Sequence, residues 1–305
     1  MLATTITTPG GPEALQLTEL PLPEPGAGQV RIRVEAAAVN PVDLMLRSGA
    51  FHQLGMITGP RVGVGIDLAG VVDTLGPDLT DDAADRLTPG TRVAAVLAFS
   101  PAESLAYAEY AVVPAADLAV VPDGLSSVQA ASVPLNSLTA EQALDLLGPA
   151  RGRTLLVTGA AGAVGGYAAQ LASERGFVVS GLARPSDEAF VTSTGATLLT
   201  ELPTTPAFDA VVDAAVLEPA AIAAVVDDGD YVGVIRVRPY RAERGITVHT
   251  VGFHPDGPRL AGLLERSARG ELPVRVAEVL PLSEAPKAHR LVEAGGLRGR
   301  VVLVP

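Results

Sequence analysis

The feature that most constrains this chain is the stretch TLLVTGAAGAVGGYAAQLASERG, residues 154–176. The apolar run TLLVT reads as a strand buried on both faces. Gly159, Gly162 and Gly165 follow at intervals of three. A helix is predicted over 162–175, with Val164, Ala168 and Leu171 on one face. A strand that enters a helix through glycines at this spacing is the setting in which such a loop holds a pyrophosphate. The first glycine permits the turn, the second lets backbone approach the phosphates, and the third lets helix pack on strand. The helix N-terminus adds unpaired N–H groups and the positive end of its dipole. Gly159, Ala160, Ala161, Gly162, Ala163 and Val164 are therefore the candidate phosphate-binding set. No Gly-Lys-Ser/Thr ending follows, so the loop does not read as a nucleoside-triphosphate loop. The competing reading is a glycine-rich turn in an ordinary α/β domain.

The next strand, FVVSGLA at 177–183, decides which dinucleotide fits. An NAD site usually ends this strand with a carboxylate on the ribose 2′-OH. Here Arg184 follows the strand, and no carboxylate appears before Asp187. Arginine attracts a 2′-phosphate that a carboxylate would repel. Ser180 offers a further hydrogen bond. These residues favour NADPH over NADH; the alternative for Arg184 is a plain surface arginine.

Around this unit the periodicity changes. VRIRVEA at 30–36 alternates strictly and reads as a half-buried strand. Further strands are expected within 63–76 and 91–99, giving a compact β-rich unit. The acidic TDDAADRL, 80–87, reads as a solvated loop. From 126 to 147 the pattern is helical, broken near Pro134, with Ser126 or Ser127 as a cap. Strands then alternate with helices (208–215, 230–235, 246–253), which predicts βαβ units and a parallel sheet. The tail reads helix (258–269), strand (274–280), helix (283–294), strand (300–304), and joins neither unit by pattern alone.

Composition narrows the function. The formal charge of −12 argues against nucleic acid and against an anionic membrane surface. No run of about 18 apolar residues points to a membrane span. The opening MLATTITTPGG lacks the basic start and apolar stretch of a signal peptide, so a cytoplasmic location is expected. The chain has no cysteine and four histidines, none paired at i, i+4. Thiol chemistry is thereby excluded, and no protein-bound metal is expected.

Five ordered stretches carry a resemblance: VNPVDLMLRSG (39–49), GIDLAGVVDTLG (65–76), AYAEYAVVPAADLAVVPDGLSSVQAASVPLNSLTAEQAL (106–144), the glycine loop, and RLVEAGGLRGRVVLV (290–304). Together they resemble the medium-chain dehydrogenase/reductase superfamily, and more closely its zinc-free, NADPH:quinone oxidoreductase-like branch, over essentially the whole chain. The resemblance implies an α/β protein: a GroES-like β-rich catalytic domain plus a Rossmann doubly wound parallel sheet. The implied domains are 1–122, 123–256 for the cofactor, and 257–305 returning to the catalytic domain, with the active site in the cleft. Zinc-dependent members carry a catalytic Cys and a Gly-His-Glu motif. Here Asn40 stands near the Cys position, Gly65, Ile66 and Asp67 replace Gly-His-Glu, and the structural-zinc lobe is missing.

In that branch the cofactor supplies the hydride and the protein supplies orientation. The resemblance points to Asn40 and Asp43 as catalytic polar groups near the nicotinamide. Asn40 would donate to a developing oxyanion; otherwise it is a turn residue before Pro41. Asp43 otherwise caps the helix DLMLRSG. Arg47 would hold an anionic substrate or be solvated, and Leu46 stands near the family's usual tyrosine. Thr139 would lie by the nicotinamide ribose or bond back to its own helix. Phe253 would contact the carboxamide or sit in the core, and His254 would deliver a proton. Tyr110 reads as packing. Arg236, Arg238, Arg241 and Arg244 form a basic loop, either solvated or reading an acidic substrate, with DDGD (227–230) near enough to neutralise it. The expected activity is reduction of a quinone or conjugated carbonyl (enone). The alternatives are an enoyl or tailoring reductase of a biosynthetic pathway, and a low-turnover NADPH-binding regulatory protein. The resemblance also implies a homodimer through the cofactor domain, with ITVHTVGF as its edge strand.

Overall fold

The structure, a computed structural model, describes residues 1–57, 59–98, 105–235 and 243–305. Two compact units emerge: Met1–Leu135 with His254–Pro305, and Asn136–Phe253.

The first unit opens with β1 (Leu2–Ile6) and β2 (Gln16–Glu19), followed by β3 (Gln29–Ala38), α1 (Pro41–Ser48) and α2 (Ala50–Gln53). Next come β4 (Val62–Gly63), β5 (Asp67–Leu75), α3 (Asp81–Arg86) and β6 (Arg92–Val96). β7 (Tyr110–Pro114), β8 (Ala119–Val120) and α4 (Ser127–Ala131) follow. The alternation in β3 buries Val30, Ile32 and Val34 completely or nearly so. β3 is the spine of the larger sheet, pairing antiparallel with β5 along one edge and with β7 on the other. β1 lies between β2 and β4 in a separate three-stranded sheet.

The helices start and stop where their side chains dictate. α1 begins on Pro41, and its Asp43 carboxylate accepts from the Asn40 N–H at 2.8 Å. It ends on Gly49 at φ +89°, a left-handed stop that suits glycine. The stretch 80–87, expected as a loop, contains α3. The Thr80 hydroxyl accepts from the Ala83 N–H at 3.3 Å, Asp81 and Asp82 sit in the first turn, and Arg86 in the last. A capped turn with charges opposing its dipole needs little apolar patterning, which is why periodicity passed over it.

The second unit begins within α5 (Pro134–Leu147) and continues β9 (Thr154–Thr158), α6 (Ala163–Glu174), β10 (Val178–Leu182), α7 (Glu188–Ser193) and β11 (Thr197–Leu199). β12 (Phe208–Asp213), α8 (Pro219–Ala223), β13 (Val225–Gly233) and β14 (Thr247–Thr250) complete it. Its six strands are all parallel in the order β11-β10-β9-β12-β13-β14. That is the doubly wound order, which reverses between β9 and β12, where ligands of such sheets bind. Leu156, Val211 and Tyr231 are fully buried in its core.

The chain then returns to the first unit with α9 (Gly257–Ala268), β15 (Val276–Pro281), α10 (Ala285–Ala294) and β16 (Arg300–Val304). β16 pairs parallel with β15 and antiparallel with β3. The division falls at Leu135 rather than at 122, because α4 packs on β3, β5 and β6 and so belongs with the first unit. The return begins at His254 rather than at 257. Among the described residues no helix is long and apolar enough to cross a membrane.

Candidate active site

The glycine loop joins β9 to α6 at the reversal of strand order. Gly159 has φ +62°, and a Cβ there would come 3.1 Å from the Ala215 Cβ. A Cβ on Gly165 would stand 2.2 Å from the Gly159 carbonyl oxygen. A Cβ on Gly181 in β10 would stand 2.7 Å from the Ala160 Cβ. Ala160 is tied back by its N–H to the Leu182 carbonyl at 3.1 Å. Each glycine thus answers a steric demand, and α6 begins at Ala163 with its first amides facing the loop. This cradle fits a pyrophosphate.

Ser180 lies half-buried in β10, level with Leu156 of β9. Arg184 is exposed just beyond that strand and has no ion-pair partner among the described residues. Asp187, the nearest carboxylate downstream, is buried at 8% exposure. Thr139 is buried at 7% on α5, and Phe253 is half-buried at the end of this unit. His254 is exposed and belongs to the first unit.

Next to β12 the structure shows a group that sequence reading missed. Asp213, fully buried, accepts from the Thr158 hydroxyl at 2.5 Å, the Tyr231 hydroxyl at 2.8 Å, and the N–H groups of Leu217 at 3.1 Å and Glu218 at 2.8 Å. The signal for it was a carboxylate closing the apolar run Ala210–Val212.

In the first unit Asn40 and Asp43 come together with residues far away in sequence. Asn40 donates to the Asp67 carboxylate at 2.9 Å and to the Ala38 carbonyl at 3.3 Å, and accepts from Arg300 at 2.5 Å. Arg300 also donates to the Val39 carbonyl. Asp43 accepts from the Tyr107 hydroxyl at 3.0 Å, and Asp67 accepts from the Leu135 N–H at 2.9 Å. Asn40, Asp43, Asp67 and Tyr107 are all 0% exposed. Burial pushes the Asp43 carboxyl up to about 7, against its bonds from Asn40 and Tyr107 and the charge of Arg300. Burial likewise pushes Asp67 up to about 7, against Asn40 and Arg300. Both amide N–H groups of Asn40 have protein partners, Ala38 and Asp67. Asp43 caps α1, as its alternative reading held.

Arg47 is buried rather than solvated. At 4% exposure it donates to the Gly10 carbonyl at 3.2 Å, contacts His289 Nδ1 at 3.4 Å, and pairs with Glu293. Its guanidinium is held between α10 and the segment before β2. Burial, and then the charge of Arg47, pull His289 down to about 3, so its imidazole is neutral. Of the basic loop, Arg236, Arg238 and Arg241 lie outside the described residues. Arg244 pairs with Asp227 at 3.2 Å and donates to the Val225 and Ile222 carbonyls.

The residues do not fit a zinc ion. Asn40 is engaged as above, Ile66 is apolar and 1% exposed, and among the described residues no cluster of His, Asp or Glu has the arrangement of a metal site.

Comparison with known proteins agrees with this architecture. Residues 26–123 match the alcohol dehydrogenase GroES-like domain, and 187–303 match a family described as zinc-binding dehydrogenase. A quinone-oxidoreductase homolog of Spinacia oleracea chloroplasts is 36% identical over 53% of this chain and 49% of that protein, so the chain spans about half of that relative's length. A quinone oxidoreductase of Pseudomonas aeruginosa is 28% identical over 97% of both chains. A trans-enoyl reductase of Aspergillus flavipes is 31% identical over 90% of this chain and 73% of its own length. Among solved structures, the Coxiella burnetii quinone oxidoreductase superposes with a TM-score of 0.86 at 28% identity, covering 100% of this chain and 99% of that one. A mycobacterial protein solved with NADPH gives 0.83 at 29% identity, covering 100% of both.

The α/β fold, with its β-rich unit and doubly wound sheet, is that of a dehydrogenase/reductase. The chain belongs to the medium-chain dehydrogenase/reductase superfamily, in its zinc-free, quinone-oxidoreductase-like branch.

Proposed function

We propose that this protein uses NADPH, without a metal, to reduce a small quinone or conjugated carbonyl. The observation that carries the reading is the glycine loop at the strand-order reversal, with Arg184 exposed past the neighbouring strand and without an ion-pair partner among the described residues. Bound there, the cofactor would supply hydride from its nicotinamide C4. Gly159, Ala160, Ala161, Gly162, Ala163 and Val164 cradle the pyrophosphate through backbone N–H groups and the α6 terminus. Ser180 and Arg184 take the 2′-phosphate. Thr139 and Phe253 border the nicotinamide end, and His254 is the residue assigned to return a proton. Asn40 and Asp43 act here by fixing the start of α1.

Similarity to a trans-enoyl reductase over most of the chain favours a second substrate class, an enoyl group of a biosynthetic intermediate. Consumption of NADPH and NADH against quinones, enones, aldehydes and alcohols, with chelator present, separates the two. Broad quinone turnover supports the first reading; selectivity for one bulky enone supports the second. Arg184→Ala is expected to raise the Kd for NADPH about tenfold while leaving NADH unchanged, since only NADPH carries the phosphate it would meet. Equal effects on both cofactors, by calorimetric titration, would remove Arg184 from this role.

The reading includes a cytoplasmic homodimer joined through the cofactor domain. Among the described residues β14 pairs with β13 alone, which leaves an edge that a second copy would cover. Light scattering should give about twice the 31.1 kDa chain mass; a monomer mass at micromolar concentration would rule the dimer out.

A further inference from the structure

The loop between β12 and α8 is held in a conformation its own residues disfavour. Val216 has φ +56°, and Glu218 has φ +41° with ψ −107°. Neither is glycine, and a β-branched residue at positive φ is a true outlier. Such geometry persists only where its surroundings enforce it. Here the surroundings are two side chains. Asp213 accepts from the N–H groups of Leu217 and Glu218, and the Thr158 hydroxyl accepts from the Ala215 N–H at 2.9 Å while donating to Asp213. The Tyr231 hydroxyl completes the set. Thr158 ends β9, Asp213 ends β12, and Tyr231 belongs to β13. The carboxylate therefore ties the two halves of the sheet across the point where strand order reverses.

The held loop faces the glycine turn. The Ala215 Cβ, N and Cα lie 3.1–3.5 Å from where a Gly159 Cβ would be. At its tip Val216 and Leu217 are each 37% exposed, an apolar pair beside a phosphate-binding loop. We infer that Asp213, with Thr158, is a positioning residue that presets the Ala215–Glu218 loop as the second wall of the cofactor crevice, with Val216 and Leu217 offering the cofactor an apolar surface. The inference rests on the cofactor-binding reading above. A wall set before binding spares the ordering cost that a mobile loop would impose.

The test uses the full chain in two parts. In the cofactor-free protein, Asp213→Asn places an amide among four donors. Exchange of the Leu217 and Glu218 amide hydrogens should speed up at least tenfold, while amides in the centre of β9 keep their protection. By calorimetry, the variant's Kd for NADPH should rise about tenfold at a temperature where it is fully folded, with kcat at saturating cofactor within about threefold of the parent. Should Asp213→Asn not fold, Thr158 serves instead. Thr158→Val should weaken NADPH binding about fivefold, whereas Thr158→Ser, which keeps the hydroxyl, should bind like the parent. Unchanged exchange and unchanged Kd in these variants overturn the inference and leave the cofactor reading standing. A parent protein that binds neither NADPH nor NADH overturns both. Faster exchange with unchanged Kd shows a clamp that the cofactor does not feel, and that too overturns the inference.

Discussion

Gly165→Val should unfold the cofactor unit or leave it unable to bind NADPH. The added Cβ would lie 2.2 Å from the Gly159 carbonyl oxygen, 2.7 Å from its carbon and 3.1 Å from the Ala160 Cα. All three are backbone atoms of the phosphate loop, so no side chain can swing aside. Either α6 lifts off the sheet or the loop gives up its shape. Overpacking of well-fitted sites costs about 1–3 kcal/mol, and this contact stands at the top of that range or above. We expect a loss of about 3 kcal/mol, a fall in Tm of roughly 12 °C for a unit of this size, and NADPH affinity reduced at least about a hundredfold. Gly262→Ala is the control. Gly262 lies exposed inside α9, and a Cβ there meets nothing within 4 Å. That change should be neutral or stabilise by up to about 1 kcal/mol, because alanine is the better helix former. Differential scanning calorimetry and cofactor titration read both. A Gly165→Ala protein that binds NADPH like the parent would show that the close approach is not required.

The second large effect concerns the buried carboxylates around Asn40. Arg300 is the cation that offsets Asp43 and Asp67. Removing one partner of a buried ionic group leaves the other uncompensated, at a cost of about 3–5 kcal/mol. Arg300 is half-buried, so Arg300→Met should cost about 3 kcal/mol near pH 8. The cost should depend on pH in a fixed direction. Both carboxyls titrate near 7 in the folded protein against 3.8 ordinarily, so the folded state binds protons more tightly than the unfolded one. Their contribution to stability is therefore full below about pH 4 and is lost as pH rises through about 7. Below pH 5 both are neutral and have little need of Arg300, so the variant should lose only about 1 kcal/mol there. Urea unfolding at pH 5 and pH 8 measures the difference. Equal losses at the two pH values would mean that Arg300 does not balance these carboxylates.

The two effects also mark what could be read from residues alone. The glycine loop, the parallel strands and the β-rich unit were legible because each is written locally, in periods of two, three or 3.6 residues. The helix α3 was not, since its stability lies in a Thr80 cap and charged ends rather than in an apolar stripe. The Asn40 network was not legible either. Asn40 meets Asp67 across 27 positions and Arg300 across 260, and nothing in the local pattern reports such a meeting. For the same reason Arg47 read as available when Glu293, 246 positions away, already held it. Asp213 follows the apolar run Ala210–Val212, where its charge calls for partners, but those partners, Thr158 and Tyr231, are supplied by two other strands.

The strand order of the first unit has a consequence for how the protein is made. β3 leaves the ribosome early, yet its neighbour β16, together with β15, α9 and α10, is translated only after the whole cofactor unit. The cofactor unit is one continuous stretch and can complete its six strands during synthesis. The first unit cannot do so. Until residues 254–305 emerge, half of one β3 edge stays unpaired and Asp43 and Asp67 wait for Arg300, the arginine that balances them. The nascent chain therefore carries an unpaired sheet edge, and two carboxyls without their arginine, while the cofactor unit is being synthesised, a period in which strand edges invite aggregation.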